Sequence, residues 1–310
     1  MSGNKLLSVC CLGYRHAPYI RDCIKSLWNG GYPEIEIIAM DDGSNDGSVE
    51  ILKELQATSP CPFTILYQEN TGNIPANFNK LFMASRGDFV LFTALDDQQL
   101  PNILAERMQR LLNDDSLAFC AHTKLFILDG VNKLRPDKTM ACGLQADPKL
   151  FLEIEREKLG CFYIQGAIFR REIVAAVGCF TPNLLGDDIV LRTKIFFYLL
   201  AHPNLTFALL DEPGFIYRWH EGNVHRKFKR QIELVLQYYD KFWSDYPFSR
   251  MVKRWMIYAL NHVDYDEIVQ VFAISSRAST LLKNAEVRKA LQNSAVRAFL
   301  KANQQDESSN

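Results

Sequence analysis

The chain has 310 residues, 48% of them apolar, which is enough to fill a sizeable core in one large domain or two ordinary ones. Lysine and arginine number 35 against 36 acidic residues, a formal charge of -1, which excludes a general attraction to nucleic acid and makes any electrostatic function local. No stretch approaches the roughly 18 uninterrupted apolar residues of a spanning helix, and the N-terminal KLLSVCCLGY has neither the length nor the cleavage pattern of a signal peptide, so a cytoplasmic location is expected.

From the start to residue 120, β-rich runs alternate with helical ones. LLSVCCLG reads as a strand, YIRDCIKSLWN as a helix, EIEIIAMD as a strand and SVEILKELQA as a helix. FTILYQ, DFVLFTAL and SLAFCAHTKLF follow as strands, separated by the helical IPANFNKLFMASR and by NILAERMQRLLN, a helix expected to start at Pro101. This alternation predicts an α/β fold with a mostly parallel sheet covered on both faces, and ligands on such sheets bind beyond the carboxyl ends of the strands.

Residues 121 to 224 are less regular. A helix is expected at PKLFLEIEREKL and another at GDDIVLRTKIFFYLLA, with TFALLDEP and GFIYRWH as separate strand-like runs. From 225 to 303 helical periodicity takes over in KRQIELVLQYYDKFWSDY, SRMVKRWMIYALNHV, EIVQVFAISSRASTLL and NAEVRKALQNSAVRAFLKA; 304 to 310 reads as a frayed tail. The eight cysteines show no CxxC spacing and read as reduced thiols.

Four clusters could carry chemistry. MDDGSNDGS ends the second strand with Asp41 and Asp42; its residues suit a turn and helix cap, and a carboxylate there can also meet a base or ribose. TALDDQQLP ends an apolar strand with Asp96 and Asp97, readable as a solvated turn or as carboxylates for Mg²⁺ or Mn²⁺ beside phosphates. Asp187 and Asp188 open a helix, where the dipole favours acids and where one of them could serve as general base. YRWHEGNVH packs Tyr217, Arg218, His220, Asn223 and His225 into nine residues.

In this order the segments resemble the nucleotide-diphospho-sugar glycosyltransferases of family 2, from about Leu7 to Asn223. SVCCLGYRHAPYI with MDDGSNDGS, then ENTGNIPANFNKLF with FVLFTALDD, then GAIFRREIVAAVGCF with GDDIVLR carry the likeness. The resemblance implies the GT-A fold, a Rossmann-like, mostly parallel sheet with flanking helices, over residues 1 to 224. Residues 1 to 120 would then form the nucleotide-binding half, 121 to 224 the acceptor and catalytic half, and 225 to 303 an appended helical region. It implies that Asp42 bonds the base of a UDP-sugar, that Leu12, Gly13, Tyr14 and Asn79 line the nucleotide pocket, and that Asp96 touches ribose or metal. Asp97 and His220 would hold Mn²⁺ or Mg²⁺, Asp188 would be the general base, and Asp187, Tyr217, Arg218 and Asn223 would meet the diphosphate or acceptor.

The activity so implied is inverting transfer of one sugar to a glycan or lipid-linked acceptor in bacterial surface polysaccharide synthesis. Two departures qualify the resemblance. Ala94 stands where many relatives have the first acid of Asp-x-Asp-Asp, and Phe215 replaces the Gln of the processive Gln-x-x-Arg-Trp motif, so non-processive transfer is expected. The alternatives are a sugar nucleotidyltransferase, for which CLGYRHAPY is a poor phosphate loop, and a non-catalytic nucleotide-sugar binding protein. The basic Arg226, Lys227, Lys229, Arg230, Lys253 and Arg254 are either a solvated face or, with Trp243 and Trp255, a contact to anionic lipid that would make the protein peripheral on the membrane.

Overall fold

The structure is a computed structural model and describes residues 5–129, 133–137, 146–223, 228–262 and 265–283. His225, Arg226, Lys227 and the expected last helix lie outside the described residues. The chain divides into two compact units: Met1–Glu155, Gly160–Asn183 and Asp187–Glu221 form the first, and Arg156–Leu159, Leu184–Gly186 and Gly222–Asn310 the second.

In the first unit, β1 (Leu7–Gly13), β2 (Ile35–Asp41), β3 (Phe63–Tyr67) and β4 (Phe89–Ala94) lie parallel in the order β3-β2-β1-β4, joined by α1 (Ile20–Trp28), α2 (Ser48–Ala57) and α3 (Ile74–Ala84). Their uniform burial explains the lack of polar alternation: β1 and β2 are buried at every position. Val9, Cys11, Ile37, Ala39 and Leu91 meet Ile24, Leu27, Leu52 and Leu104 on one face. Elsewhere in the unit Phe92 packs with Phe78, Phe82 and Phe180.

The sheet continues with mixed polarity. β5 (Gln98–Gln99) and α4 (Ile103–Asn113) precede β6 (Leu117–Leu128) and β7 (Leu134–Pro136). α5 (Pro148–Lys158), a 3₁₀ turn at Ile164–Gly166, β8 (Ala167–Arg170), α6 (Arg171–Ala176), α7 (Asp188–Ala201) and β9 (Thr206–Arg218) complete it. β8 runs antiparallel to β4 and β6, β9 parallel to β6, and β5 antiparallel to β9. Phe119 stacks on Phe207 at 4.8 Å, with Phe151, Phe162, Phe169 and Phe196 around them; each buried ring contributes about 2–3 kcal/mol.

Two boundaries in this unit differ from expectation. α4 begins at Ile103, not Pro101, because Asn102 takes φ 61° and its N–H bonds Asn29 O at 3.0 Å, so the chain turns before the helix starts. TFALLDEP and GFIYRWH form one strand, carried past Pro213 by register shifts against β6. Gly214 is needed there, since a Cβ would stand 2.5 Å from the Cβ of His122.

His122 is fully buried, its Nδ1 is 3.0 Å from Glu212 O, and burial together with Arg107 lowers its pKa to about 4. The folded pKa lies below the unfolded 6.5, so this stabilisation is complete above pH 6.5 and is lost as pH falls toward 4. We expect urea unfolding to report a loss of about 3 kcal/mol across that window from this group. In His122→Asn that share of the pH dependence should vanish.

In the second unit, α8 (Phe228–Phe242), α9 (Arg250–His262), α10 (Tyr265–Ala273) and α11 (Ser276–Lys283) follow one another; the helix expected over EIVQVFAISSRASTLL is broken at Ile274–Ser275. Trp243 is only 5% exposed, packed beside Tyr238 and Tyr246 with Arg156 over its ring, so it is not offered to a lipid surface. Among the described residues no helix is long and apolar enough to cross a membrane.

Candidate active site

The parallel register brings Gly13 level with Asp41 and Leu12 level with Ala94, so β1, β2 and β4 end on one edge of the sheet. Asp42 N donates to Gly13 O and Leu95 N to Leu12 O, both at 2.9 Å, so each acidic segment leaves its strand tied to the backbone of β1. Tyr14, just past β1, is exposed with Arg15 over its ring.

The two aspartates after β2 differ. Both Asp42 oxygens accept from the chain: Gln68 Nε2 at 2.6 Å, Thr71 N at 3.1 Å and Gly72 N at 3.0 Å, while Asn70 Nδ2 donates to Asp42 O. Gly43 makes this clasp possible, because with φ 80° a Cβ there would lie 2.4 Å from Asn70 N. Asp41 accepts from Ser44 N through Oδ1 at 2.7 Å, and its Oδ2 is buried with no hydrogen-bond partner. Asn79 uses both ends of its amide on the backbone of Phe180, at 2.9 and 3.0 Å.

The acid pair after β4 is not solvated: Asp96 is 5% and Asp97 1% exposed. Asp97 Oδ1 accepts from Arg218 N at 3.1 Å, and Asp96 Oδ1 and Asp97 Oδ2 are buried with no hydrogen-bond partner. Burial and neighbouring Asp96 push the Asp97 carboxyl well above the usual range. Burial would raise Asp96 too, but His16 and His220 reverse that and hold it low.

His16, from the loop between β1 and α1, and His220, just past β9, flank Asp96. His220 Nε2 is 2.9 Å and His16 Nε2 3.6 Å from Asp96 Oδ2. Among the described residues these three form the group whose ligand atoms all lie within 4.8 Å of one another. His16 carries no spacing signal in the sequence, and Asp41, visible there as one of an acid pair, is distinguished from Asp42 by which oxygens the fold consumes. Arg218 braces the arrangement: Nε donates to Asp96 O at 3.1 Å, Nη2 pairs with Asp22 at 3.1 Å, and the guanidinium lies over Tyr19.

Asp188 is the first residue of α7. Its Oδ1 accepts from Ile189 N at 2.6 Å, and its Oδ2 pairs with Arg192 Nη1 at 2.8 Å. Arg192 also grips the fully buried Glu155 with Nε at 2.5 Å and Nη2 at 3.2 Å. Burial, then the charge of Asp188, raises Asp187 to about 6. Tyr163 and Tyr217 stack at 5.8 Å. Burial first, then nearby acids including both Asp97 and Asp188, pushes Tyr163 up to about 12 and Tyr217 higher still. Three carboxylates, Asp96, Asp97 and Asp188, thus act on Tyr217. Asn223 is buried and belongs to the second unit.

The chain has known relatives in sequence and fold. An uncharacterized glycosyltransferase of Nostoc, alr2836, is 27% identical over 256 residues, 76% of this chain and 75% of that protein. Staphylococcus aureus TarS 1-349, solved with UDP-GlcNAc, superposes with a TM-score of 0.60 at 17% identity, over 97% of this chain and 92% of that one. The mannosyltransferase PcManGT of Pyrobaculum calidifontis, solved with GDP-Man and Mn²⁺, gives 0.56 at 17% identity over 97% and 84%. The two structures show the shared GT-A fold. The profile described as Glycosyl transferase family 2 matches residues 8–178, more than half of the chain, and the protein therefore belongs to glycosyl transferase family 2.

Proposed function

We propose that the protein is an inverting, non-processive glycosyltransferase that moves one sugar from a UDP-sugar to a hydroxyl of a glycan or lipid-linked acceptor in bacterial surface polysaccharide synthesis. The observation that carries the reading is the set of buried carboxylate oxygens without hydrogen-bond partners at the strand ends, Asp41 Oδ2 after β2 and Asp96 Oδ1 and Asp97 Oδ2 after β4. Tyr217, Arg218, His220 and Asn223 resemble a Tyr-Arg-x-His-x-x-Asn segment of bacterial family members that build surface polysaccharides, which supports the surface-glycan acceptor, and Phe215 in place of the processive Gln supports single transfer.

The strand ends would read the nucleotide. Asp41 Oδ2, unsatisfied and buried, is the acceptor available for a base N–H, while Asp42 shapes the pocket by holding Asn70 to Gly72. Asp187 and Asn223 remain candidates for diphosphate or acceptor contact. Asp188 would take the proton as the acceptor hydroxyl attacks the anomeric carbon, the bond to the diphosphate breaks, and the configuration inverts.

The donor set fits a divalent cation. Asp96 Oδ1 and Asp97 Oδ2 have no hydrogen-bond partner, and burial together with the charge of Asp96 makes Asp97 resist ionisation. Asp96, Asp97 and His220 would hold it, and when bound it would neutralise charge on the leaving diphosphate. Arg218, committed to Asp22 and to the Asp96 carbonyl, braces that turn.

The test is release of nucleoside diphosphate from a panel of nucleotide sugars, with Mn²⁺, with Mg²⁺ and with EDTA. UDP release that depends on acceptor and cation is expected. Pyrophosphate release would instead indicate a nucleotidyltransferase, and binding without turnover an inert module.

A further inference from the structure

We propose that the cation here is held by two imidazoles, His16 and His220, together with Asp96, and that this donor set makes it a transition-metal site that discriminates against Mg²⁺. The inference rests on the metal-dependent reading above and deepens it. His16 is the new element, and three observations lead to it.

First, neither ring nitrogen of His16 makes a hydrogen bond within the fold. The His16 side chain is 15% exposed, its Nδ1 is buried with no partner, and its Nε2 stands 3.6 Å from Asp96, beyond hydrogen-bond reach. An enclosed polar ring that forms no hydrogen bond is a net cost to folding unless something else binds it. Second, Asp96 is 95% buried (5% exposed), and its Oδ1 is likewise unpartnered. Third, the spacing suits a small cation. Bonds of about 2.1 Å at right angles set neighbouring ligand atoms about 3 Å apart. The two imidazole nitrogens lie 2.9 and 3.6 Å from Asp96 Oδ2.

The loop that carries His16 is also fixed in place. Arg15 N donates to Ser44 Oγ at 2.7 Å and Ala17 N to Asp46 Oδ2 at 3.1 Å, so the residues on either side of His16 are tied to the turn after β2. Ring edges reinforce this, with His16 and His220 perpendicular at 5.9 Å and Tyr19 packed on both.

The selectivity follows from ligand chemistry. Mg²⁺ takes oxygen donors and sheds water reluctantly, whereas imidazole suits first-row transition metals, whose affinity rises from Mn²⁺ through Co²⁺. Ala94, at the end of β4, supplies no carboxylate, and His16 provides a nitrogen where an oxygen would have favoured Mg²⁺.

The test uses the full chain without nucleotide, titrated with Mn²⁺ followed by electron paramagnetic resonance and with Co²⁺ followed by visible absorption. Both metals should bind, Co²⁺ more tightly, and about a 100-fold excess of Mg²⁺ should fail to displace either. His16→Gln should weaken Co²⁺ binding by about 10- to 100-fold. His16→Asp should restore Mn²⁺ binding and let Mg²⁺ compete, an exchange of preference that a purely structural role would not produce. Melting curves for both variants separate ligand loss from unfolding. Undiminished Co²⁺ affinity in His16→Gln, or displacement by equimolar Mg²⁺, would overturn the inference while leaving the transferase reading intact. Histidine-dependent Co²⁺ binding in a protein that transfers no sugar with any cation would uphold it and remove the transferase reading instead.

Discussion

Asp188→Asn is expected to lower turnover with a UDP-sugar and acceptor by about 10²- to 10⁴-fold, the usual contribution of a positioned general base. The asparagine keeps the shape, and its single oxygen can still accept the Ile189 N–H while the Arg192 bond at the other position is given up, so α7 should remain intact; what is lost to the chemistry is the capacity to take a proton. A carboxylate accommodates about four hydrogen bonds, so the two that Asp188 already accepts leave room for an acceptor hydroxyl. Because the base acts on the acceptor as it attacks, the loss should fall on kcat with donor KM nearly unchanged. Steady-state release of UDP measures both. An unchanged kcat would remove Asp188 from the chemistry and direct attention to Asp187, whose carboxyl burial and the neighbouring Asp188 raise to about 6.

The second large effect concerns what holds Asp188. Arg192 is 2% exposed and lies between Glu155 and Asp188, so its charge depends on both acids. Removing one member of a buried pair strands the other, so Glu155→Leu should cost about 3–5 kcal/mol in urea unfolding. The pair itself contributes far less than that figure, because both ions had to leave water. Glu155→Leu combined with Arg192→Met should therefore recover most of the stability while lowering kcat, since Asp188 then loses the guanidinium that fixes its Oδ2. Additive losses in the double variant would contradict this account.

Much of the first half of the sheet was legible. Uninterrupted apolar runs located β1, β2 and β4, the last two with acids at their ends, and α2 falls on the residues its periodicity indicated. β5 was not legible, because Gln98 and Gln99 have no strand pattern of their own and become a strand by pairing with Ile216 and Phe215. The Pro213-Gly214 pair read as a break between strands; long-range pairing with β6 overrides it. At the site, the Asp96–Asp97 pair announced itself, whereas His16 did not, since its partners are 80 and 204 residues away in the chain. The i, i+4 relation of Asp188 and Arg192 is visible in the sequence, but Glu155, on another helix, is brought there only by packing.

The wide separation of these partners also bears on how the protein acquires its function. The bonds that close the acidic turn join Asp97 and Asp96 to Arg218, across 121 and 122 residues, so the turn cannot be completed until the end of β9 has been synthesised. A nascent chain that has already assembled the β1 to β4 half would present two mutually repelling carboxylates with neither their arginine nor their second histidine. Any cation or nucleotide that binds the finished edge therefore favours closure by mass action, and the ligands of the mature protein would act as its folding partners during synthesis.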